Sequence, residues 1–349
     1  MNFTKIADEI YSQITNEDLQ AISIIYNKEY YNNLKQKVQE IQSKYQNIFI
    51  VGMGGSFLGA KTIIQGLNLT NRNVNFIYHI QENILNEKIS NITSNDLIIA
   101  ISKSGNTTET LYILNKIIAK GHKNIITITE NKEGELCKIS TKNNFEILKH
   151  ERVSGRFSFL TNVGILPALI AGLDLENFIE GVKTAIDNIL IQKDVTFYNN
   201  LNNQLFNKNL NLNIIMPYVF EFKTLTKWFC QLYTESLNRK EFNIMPFPSI
   251  GTVDQHSLLE GYLQNPEDKM ITLIAKKEDT LLYKEYLLTK TICEERGLYI
   301  RNFEFKEITS HTIGFLMAYS AIEVIFIAKI IGINPFNQEM VERRKALNI

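Results

Sequence analysis

The stretch Leu97-Ile98-Ile99-Ala100-Ile101-Ser102-Lys103-Ser104-Gly105-Asn106-Thr107-Thr108-Glu109-Thr110 begins as an unbroken apolar run and ends as a cluster of hydroxyls around one glycine. A short, continuously apolar strand is the kind that a parallel sheet buries on both faces. Apolar residues then return at helical spacing from Leu111 to Ala119, and Gly121 closes the pattern. Strand, polar turn and helix in that order make one unit of a parallel α/β sheet.

The same order occurs upstream. Ile48-Phe49-Ile50-Val51 leads into Gly52-Met53-Gly54-Gly55-Ser56, and a helical pattern runs from Phe57 to about Leu67. Val74 to Tyr78 and Asn124 to Thr129 read as further strands, so a doubly wound parallel sheet is predicted. The second half repeats the scheme: strands at Leu212 to Met216, Lys269 to Ala275 and Leu298 to Phe305 alternate with helices at Phe220 to Leu237 and Leu281 to Arg296. The fold class expected is α/β, with two doubly wound parallel-sheet domains and flanking helices. Residues 1–45 read as a helical segment packed around the first sheet, 46–174 as the first domain, 175–332 as the second and 333–349 as a C-terminal segment. The boundary falls where Gly172-Leu173-Asp174 closes a long apolar stretch.

At 349 residues and 44% apolar content the chain has material for two cores. Its 37 basic and 37 acidic residues balance, which gives the whole molecule no field to attract a nucleic acid. An anionic ligand would have to be held locally. Cys137, Cys230 and Cys293 are far apart and form neither a CxxC pair nor a metal-ligand group with the five histidines, so they read as buried thiols of a reducing compartment. The first residues place acids where a secretory signal needs an apolar core, and a cytoplasmic location is expected. Ile313 to Ile331 is apolar enough to suggest a membrane span, but Glu323 and Lys329 interrupt it; a buried helix, and no membrane, is the expectation.

A loop of hydroxyls and glycine between a strand end and a helix start suits an anion, because free N–H groups and the positive helix end converge there. Ser102, Ser104, Thr107 and Thr108 could surround a phosphate without a lysine in contact. A turn that merely caps the helix is the alternative for one such loop. Two glycine- and serine-rich turns at the ends of two parallel strands favour a shared phosphate-binding crevice. The first turn is not a dinucleotide fingerprint, since Gly59 comes two positions late for GxGxxG.

Val51-Gly52-Met53-Gly54-Gly55-Ser56-Phe57-Leu58-Gly59 and Ser102 to Thr110 resemble the glycine-rich turn and phosphate loop of the glucose-6-phosphate isomerases, both shared with the wider sugar isomerase (SIS) domain. Ser154-Gly155-Arg156-Phe157-Ser158 is similar to a signature of the isomerases themselves, with Ser154 in place of a glycine. Met216-Pro217-Tyr218, Glu235 to Lys240 and Gly251-Thr252-Val253-Asp254-Gln255-His256-Ser257 follow in the family's order. Asn334-Pro335-Phe336-Asn337-Gln338-Glu339-Met340-Val341-Glu342-Arg343-Arg344-Lys345 resembles the second signature, with Met340 where a glycine is usual. The matches extend from about residue 48 to 345.

The resemblance implies reversible aldose–ketose isomerisation of glucose 6-phosphate and fructose 6-phosphate through an enediol, in glycolysis and gluconeogenesis, with no cofactor or metal and in a homodimer. It further implies that Ser102, Ser104 and Thr107 hold the phosphate and that Gly52 and Ser56 line the sugar. Arg156 would stabilise the charged intermediate, Lys345 would work near the ring oxygen and Gln338 would contact substrate. Members with a Gly-Glu-Pro-Gly-Thr stretch carry the proton-transfer base on its glutamate, and here the residues read Pro248-Ser249-Ile250-Gly251-Thr252. A serine hydroxyl cannot replace a resting carboxylate base. His256 is the nearest residue able to exchange protons near neutral pH, with Asp254 and Glu235 as other carboxylates in the matched region and Glu260 expected to be exposed. Two further readings are an isomerase that also accepts mannose 6-phosphate and a non-catalytic sugar-phosphate sensor. The joint presence of Arg156, Lys345 and Gln338 favours an enzyme, since a sensor has less need of groups that serve the reacting carbons.

Overall fold

The structure is a computed structural model that describes residues 2–207, 209–237, 242–338, 340 and 343. The chain forms two compact units: one runs from Asn16 to Leu175, and the other joins residues 1–15 to the chain from Glu176 onward.

In the first unit, strands β1 (Asn47–Val51), β2 (Asn73–Ile77), β3 (Leu97–Ile101), β4 (Ile125–Thr129) and β5 (Glu146–Lys149) form one parallel sheet. Their order is β2-β1-β3-β4-β5. The chain leaves β1 toward β2 on one side and returns to β3 on the other, so the winding reverses between β1 and β3. In such sheets the ligand crevice lies outside the carboxyl ends of the strands at that reversal. Phe49, Val51, Ile98 and Ala100 pack against Leu85, Ile89, Ile113 and Ile117 of the covering helices in one continuous core. Strand β5 is not foreseen in the sequence. It is a short edge strand, and Glu146, Ile147 and Lys149 are exposed, so it lacks the apolar run that marks its neighbours.

The second unit has a four-stranded parallel sheet of β6 (Leu212–Tyr218), β7 (Met245–Pro248), β8 (Lys269–Lys276) and β9 (Tyr299–Phe305), in the order β7-β6-β8-β9. Strand β7 is also unforeseen, because Pro246 and Pro248 argue against a strand. Their alternation resolves the conflict: Met245 and Ser249 donate to Asn211 and Ile215 at 2.8 and 2.9 Å, and the intervening prolines fall where an edge strand needs no donor. The helix Ser310–Ile331 is nearly all buried and is the core helix of this unit. A reciprocal Thr309–Thr312 capping box starts it, and left-handed Gly332 ends it.

The first helix, Phe3–Thr15, corrects the expectation that the first 45 residues pack around the first sheet. Its buried stripe of Ala7, Ile10 and Ile14 belongs to the second unit. There Phe3 stacks on Tyr198 at 5.7 Å and meets Phe326 edge-on at 6.2 Å. Asp8 pairs with Lys193 at 3.0 Å and Glu9 with Lys329 at 3.3 Å. The helix follows its apolar stripe to the surface that matches it, not to the nearest sheet in sequence.

One buried ion pair ties the second unit together. Arg301 on β9 donates through Nη1 to both carboxylate oxygens of Glu323 at 2.7 Å, and Gln204 donates to Glu323 Oε1 at 2.8 Å. Arg301 Nε donates to Thr272 on β8 at 3.0 Å, and Thr272 donates to Asn213 on β6 at 2.9 Å. Burial pushes the Glu323 carboxyl upward and the Arg301 guanidinium downward; their mutual contact opposes both shifts. Removing one partner strands the other charge, so Glu323→Ala is expected to cost roughly 3–5 kcal/mol in urea unfolding. The double variant Arg301→Met/Glu323→Leu should recover much of that loss, and a neutral Glu323→Ala would contradict this account.

Candidate active site

The loop after β3 begins with buried Ser102, whose Oγ lies 2.8 Å from Thr107 Oγ1. Thr107 occupies the N-cap position of helix Thr108–Ala119, yet its side chain makes no capping bond. Its hydroxyl is turned across the loop, which favours the anion cradle over the plain helix cap. Ser104, Asn106 and Thr108 face solvent, and the first N–H groups of the helix have no intrahelical acceptors by its geometry. Lys103 is not part of the cradle: its ammonium lies 3.5 Å from Glu130.

The loop is braced from behind by the segment after β4, a support the sequence reading missed. Asn131 Nδ2 donates to Ser104 O at 3.0 Å, Leu136 N to Gly105 O at 2.9 Å and Glu135 N to Asn106 Oδ1 at 2.9 Å. Gly105 takes φ +70°, and a Cβ added to Gly134 would stand 2.8 Å from Ser104 O. Gly134 is the available sequence signal, a glycine inside an otherwise polar connection.

The glycine turn joins the same end of the sheet. A Cβ on Gly52 would stand 2.9 Å from Ser56 Cβ and 3.2 Å from Ile101 O, the last residue of β3. One step on, a Cβ on Gly55 would fall 2.2 Å from the carbonyl carbon of Gly155 and 2.6 Å from Arg156 N. Backbone therefore lies directly on backbone, which brings buried Arg156 to the carboxyl end of β1. Ser158 Oγ donates to Gly155 O at 2.6 Å and fixes the turn. Ser154 has φ −59° and ψ 138°, an ordinary conformation, so serine is tolerated where the family resemblance expects glycine. Gly52, Ser56, Ser102, Ser104, Thr107 and Arg156 are thus gathered within the first unit.

His256 and Gln338 belong to the second unit, and Lys345 lies outside the described residues, as do Asn238, Arg239 and Lys240. Gln338 is half-buried. Ser249, at the position of the family's glutamate, is only 2% exposed. Its hydroxyl donates to Asp254 Oδ2 at 3.1 Å and lies 3.0 Å from the Tyr262 hydroxyl. Asp254 also accepts from Ile250 N at 2.6 Å and Ser257 Oγ at 3.3 Å. Ser249 and Asp254 are therefore committed to holding the turn. Gly251 seats against Tyr218, where a Cβ would come within 2.5 Å of the ring. His256 is exposed, and among the described residues its imidazole has no hydrogen bond or ion pair. Glu260 is exposed and accepts from Gln264 at 2.9 Å, and Glu235 accepts from Gln231 at 3.0 Å. Of the cysteines, only Cys293 is buried; Cys137 and Cys230 are half-buried, and all three are free thiols.

Another residue missed in the sequence is His150, buried at the end of β5 with its backbone N donating to Thr129 O at 3.0 Å. Its Nδ1 lies 2.6 Å from Glu151 O, and Nε2 has no partner. Burial pulls its pKa below the ordinary value of 6.5, and Lys103 adds to the shift.

A parallel sheet with hydroxyl and glycine loops at its switch point, and a buried arginine beside them, places the chain among the α/β proteins built to hold an anionic ligand outside the strand ends. Residues 41–166 match the SIS domain family. The chain is 32% identical over 337 residues to the glucose-6-phosphate isomerase of Methanocaldococcus jannaschii, covering 87% of this chain and 83% of that one. It is 27% identical to the glucose-6-phosphate isomerase of Fusobacterium nucleatum, covering 93% and 84%. A hypothetical protein of Thermus thermophilus has the same fold, with a TM-score of 0.86 at 22% identity over 98% of this chain and 93% of that one. A glucose-6-phosphate isomerase of Chlamydia trachomatis superposes with a TM-score of 0.79 at 18% identity, covering 93% and 73%. The chain belongs to the glucose-6-phosphate isomerase family.

Gly55→Ala forces the Gly155–Arg156 backbone away and is expected to cost about 1–3 kcal/mol, with a loss of sugar-phosphate affinity in calorimetry that Gly121→Ala, whose Cβ meets no neighbour and which is strained only by its own φ of +88°, does not share. For His150 the depressed pKa means that the unfolded chain binds the extra proton first. Its share of stability is then present above about 6.5 and lost as pH falls below it. Urea midpoints measured from pH 7 to 5 should therefore fall less in His150→Gln than in the wild type.

Proposed function

We propose that this protein reversibly isomerises glucose 6-phosphate and fructose 6-phosphate through an enediol, as an aldose–ketose isomerase of glycolysis and gluconeogenesis. The observation that carries the reading is the meeting of the phosphate loop, the glycine turn and buried Arg156 at one switch point, in a chain whose relatives are named glucose-6-phosphate isomerases. Ser102, Ser104 and Thr107 hold the phosphate, and Gly52 and Ser56 admit the sugar closely to the backbone. Arg156 stabilises the enediolate; a guanidinium stays charged when buried, and a low-dielectric site strengthens its effect on charge that develops during reaction. Lys345 assists at the ring oxygen, and Gln338 orients the substrate.

His256 is our candidate for one of the two tasks the matched residues leave unfilled, the proton shuttle between C1 and C2 or ring opening, and the shuttle is the role that the His256→Ala variant tests. Ser249 and Asp254 are spent on the turn that carries them, whereas the His256 imidazole is exposed and uncommitted. Free cysteines fit a reducing cytoplasm and the balanced charge fits a protein without a nucleic-acid partner; the homodimer is what the family resemblance implies.

A coupled assay with fructose 6-phosphate, repeated with mannose 6-phosphate, tests the reading. Turnover on fructose 6-phosphate is expected, and binding without turnover on either sugar would leave a sensor. Arg156→Ala and Lys345→Ala should each lower kcat by about a hundredfold or more, while Ser104→Ala mainly raises KM. His256→Ala should abolish most turnover and Ser249→Ala should spare it; the reverse pattern would remove His256 from the mechanism.

A further inference from the structure

Strand β2 is an edge strand with an unusual composition. Asparagine is disfavoured in strands, yet Asn73 and Asn75 occupy one face of β2, and Asn73 is in register with Asn47 of β1. These three amides lie in a cavity of about 480 Å³ along β2, within the size range of small-metabolite sites. Arg72 and Lys88 bring two positive charges to its lining, and no carboxylate lines it. Among the described residues, neither cation forms an ion pair. Arg72 is held instead by neutral carbonyls, Asn71 O at 2.9 Å and Gln42 O at 3.1 Å, which fix the guanidinium without neutralising it. The Asp96 carboxylate behind Asn47 is occupied by Asn47 Nδ2 at 2.8 Å and by Thr93 N and Oγ1 at 2.7 and 3.0 Å. Phe49 and Leu69 add an apolar wall.

We propose that this cavity is a second ligand site, for a small anionic metabolite bearing phosphate or carboxylate groups. Two uncompensated cations in a chain of zero net charge attract an anion locally. Asn73 Nδ2 already donates to Asn47 Oδ1 at 2.9 Å, Asn75 Nδ2 to Asn73 O at 3.5 Å and Asn47 Nδ2 to Asp96, so each amide has one remaining N–H for the ligand's oxygens, and the apolar wall can cover a carbon skeleton. The site is separate from the phosphate loop. Its charged and amide groups lie where β1 and β2 open, at Asn47, Arg72 and Asn73, and the lining continues along β2 through Phe76 to Ile77; the candidate active site lies beyond the carboxyl ends, roughly 13 Å along from Asn47 and Asn73 at the rise of an extended strand.

The test is isothermal titration of the full chain with inorganic pyrophosphate, and separately with citrate, each in saturating fructose 6-phosphate to occupy the phosphate loop. The wild type is expected to bind at least one of the two anions. Preference for pyrophosphate assigns the site to phosphate ligands, and preference for citrate assigns it to carboxylates. Lys88→Gln removes one charge, and Asn75→Asp places a carboxylate in the cavity at an exposed position that leaves the fold intact; each should weaken binding at least tenfold. No binding of either anion to the wild type, or wild-type affinity in either variant, overturns the proposal.

Discussion

The contact on which the candidate site depends is between two glycines. Gly55 and Gly155 meet through backbone alone, and a single added carbon would stand 2.2 Å from the opposing carbonyl carbon. The glycine turn and Arg156 share one end of the sheet because nothing is interposed. The second unit uses the same device in its helix crossing, where Gly181 lies against the His311 carbonyl and Gly314 against that of Phe178, with added carbons at 2.0 and 2.2 Å. Close backbone approach is an all-or-none constraint, unlike burial of side chains, which can be traded among residues of similar volume.

Charge in this molecule is arranged by locality. A protein without net charge has no long-range attraction for a phosphate, so recognition falls to oriented dipoles and a few fixed cations. In the hydroxyl loop after β3, the proposed phosphate cradle, the nearby lysine is drawn off by Glu130, leaving hydroxyls and N–H groups as donors. A cradle of that kind would hold an anion without the strength of a direct ion pair, which suits the proposed turnover of a ligand that must be released.

Much of this was legible in the sequence. The apolar runs that became β1, β3 and β8 are central strands buried on both faces, and the hydroxyl and glycine turns stand where parallel sheets place ligands. Two of the four edge strands were less legible: β5 buries too little to show a pattern, and β7 carries two prolines whose alternation becomes meaningful only once its partner is known. The Phe3–Thr15 helix had a clear apolar stripe, but a stripe does not name the surface it covers. The fate of Ser249 was likewise hidden, since its commitment to Asp254 and Tyr262 depends on how the turn closes. His150 left no signal because its importance comes from burial, not from a motif.

The placement of that first helix bears on the order of events during synthesis. Residues 16–175 are a contiguous segment, with every strand of their sheet supplied before the first strand of the second unit's sheet is made. They can therefore collapse as they emerge, in the way domains fold as units on the ribosome. Phe3–Thr15 is made first but packs with Tyr198 and Phe326. Its apolar stripe must remain uncovered while some three hundred residues are translated, an interval of tens of seconds at ordinary elongation rates. A helix made before the first unit thus finds its place only after that unit is complete.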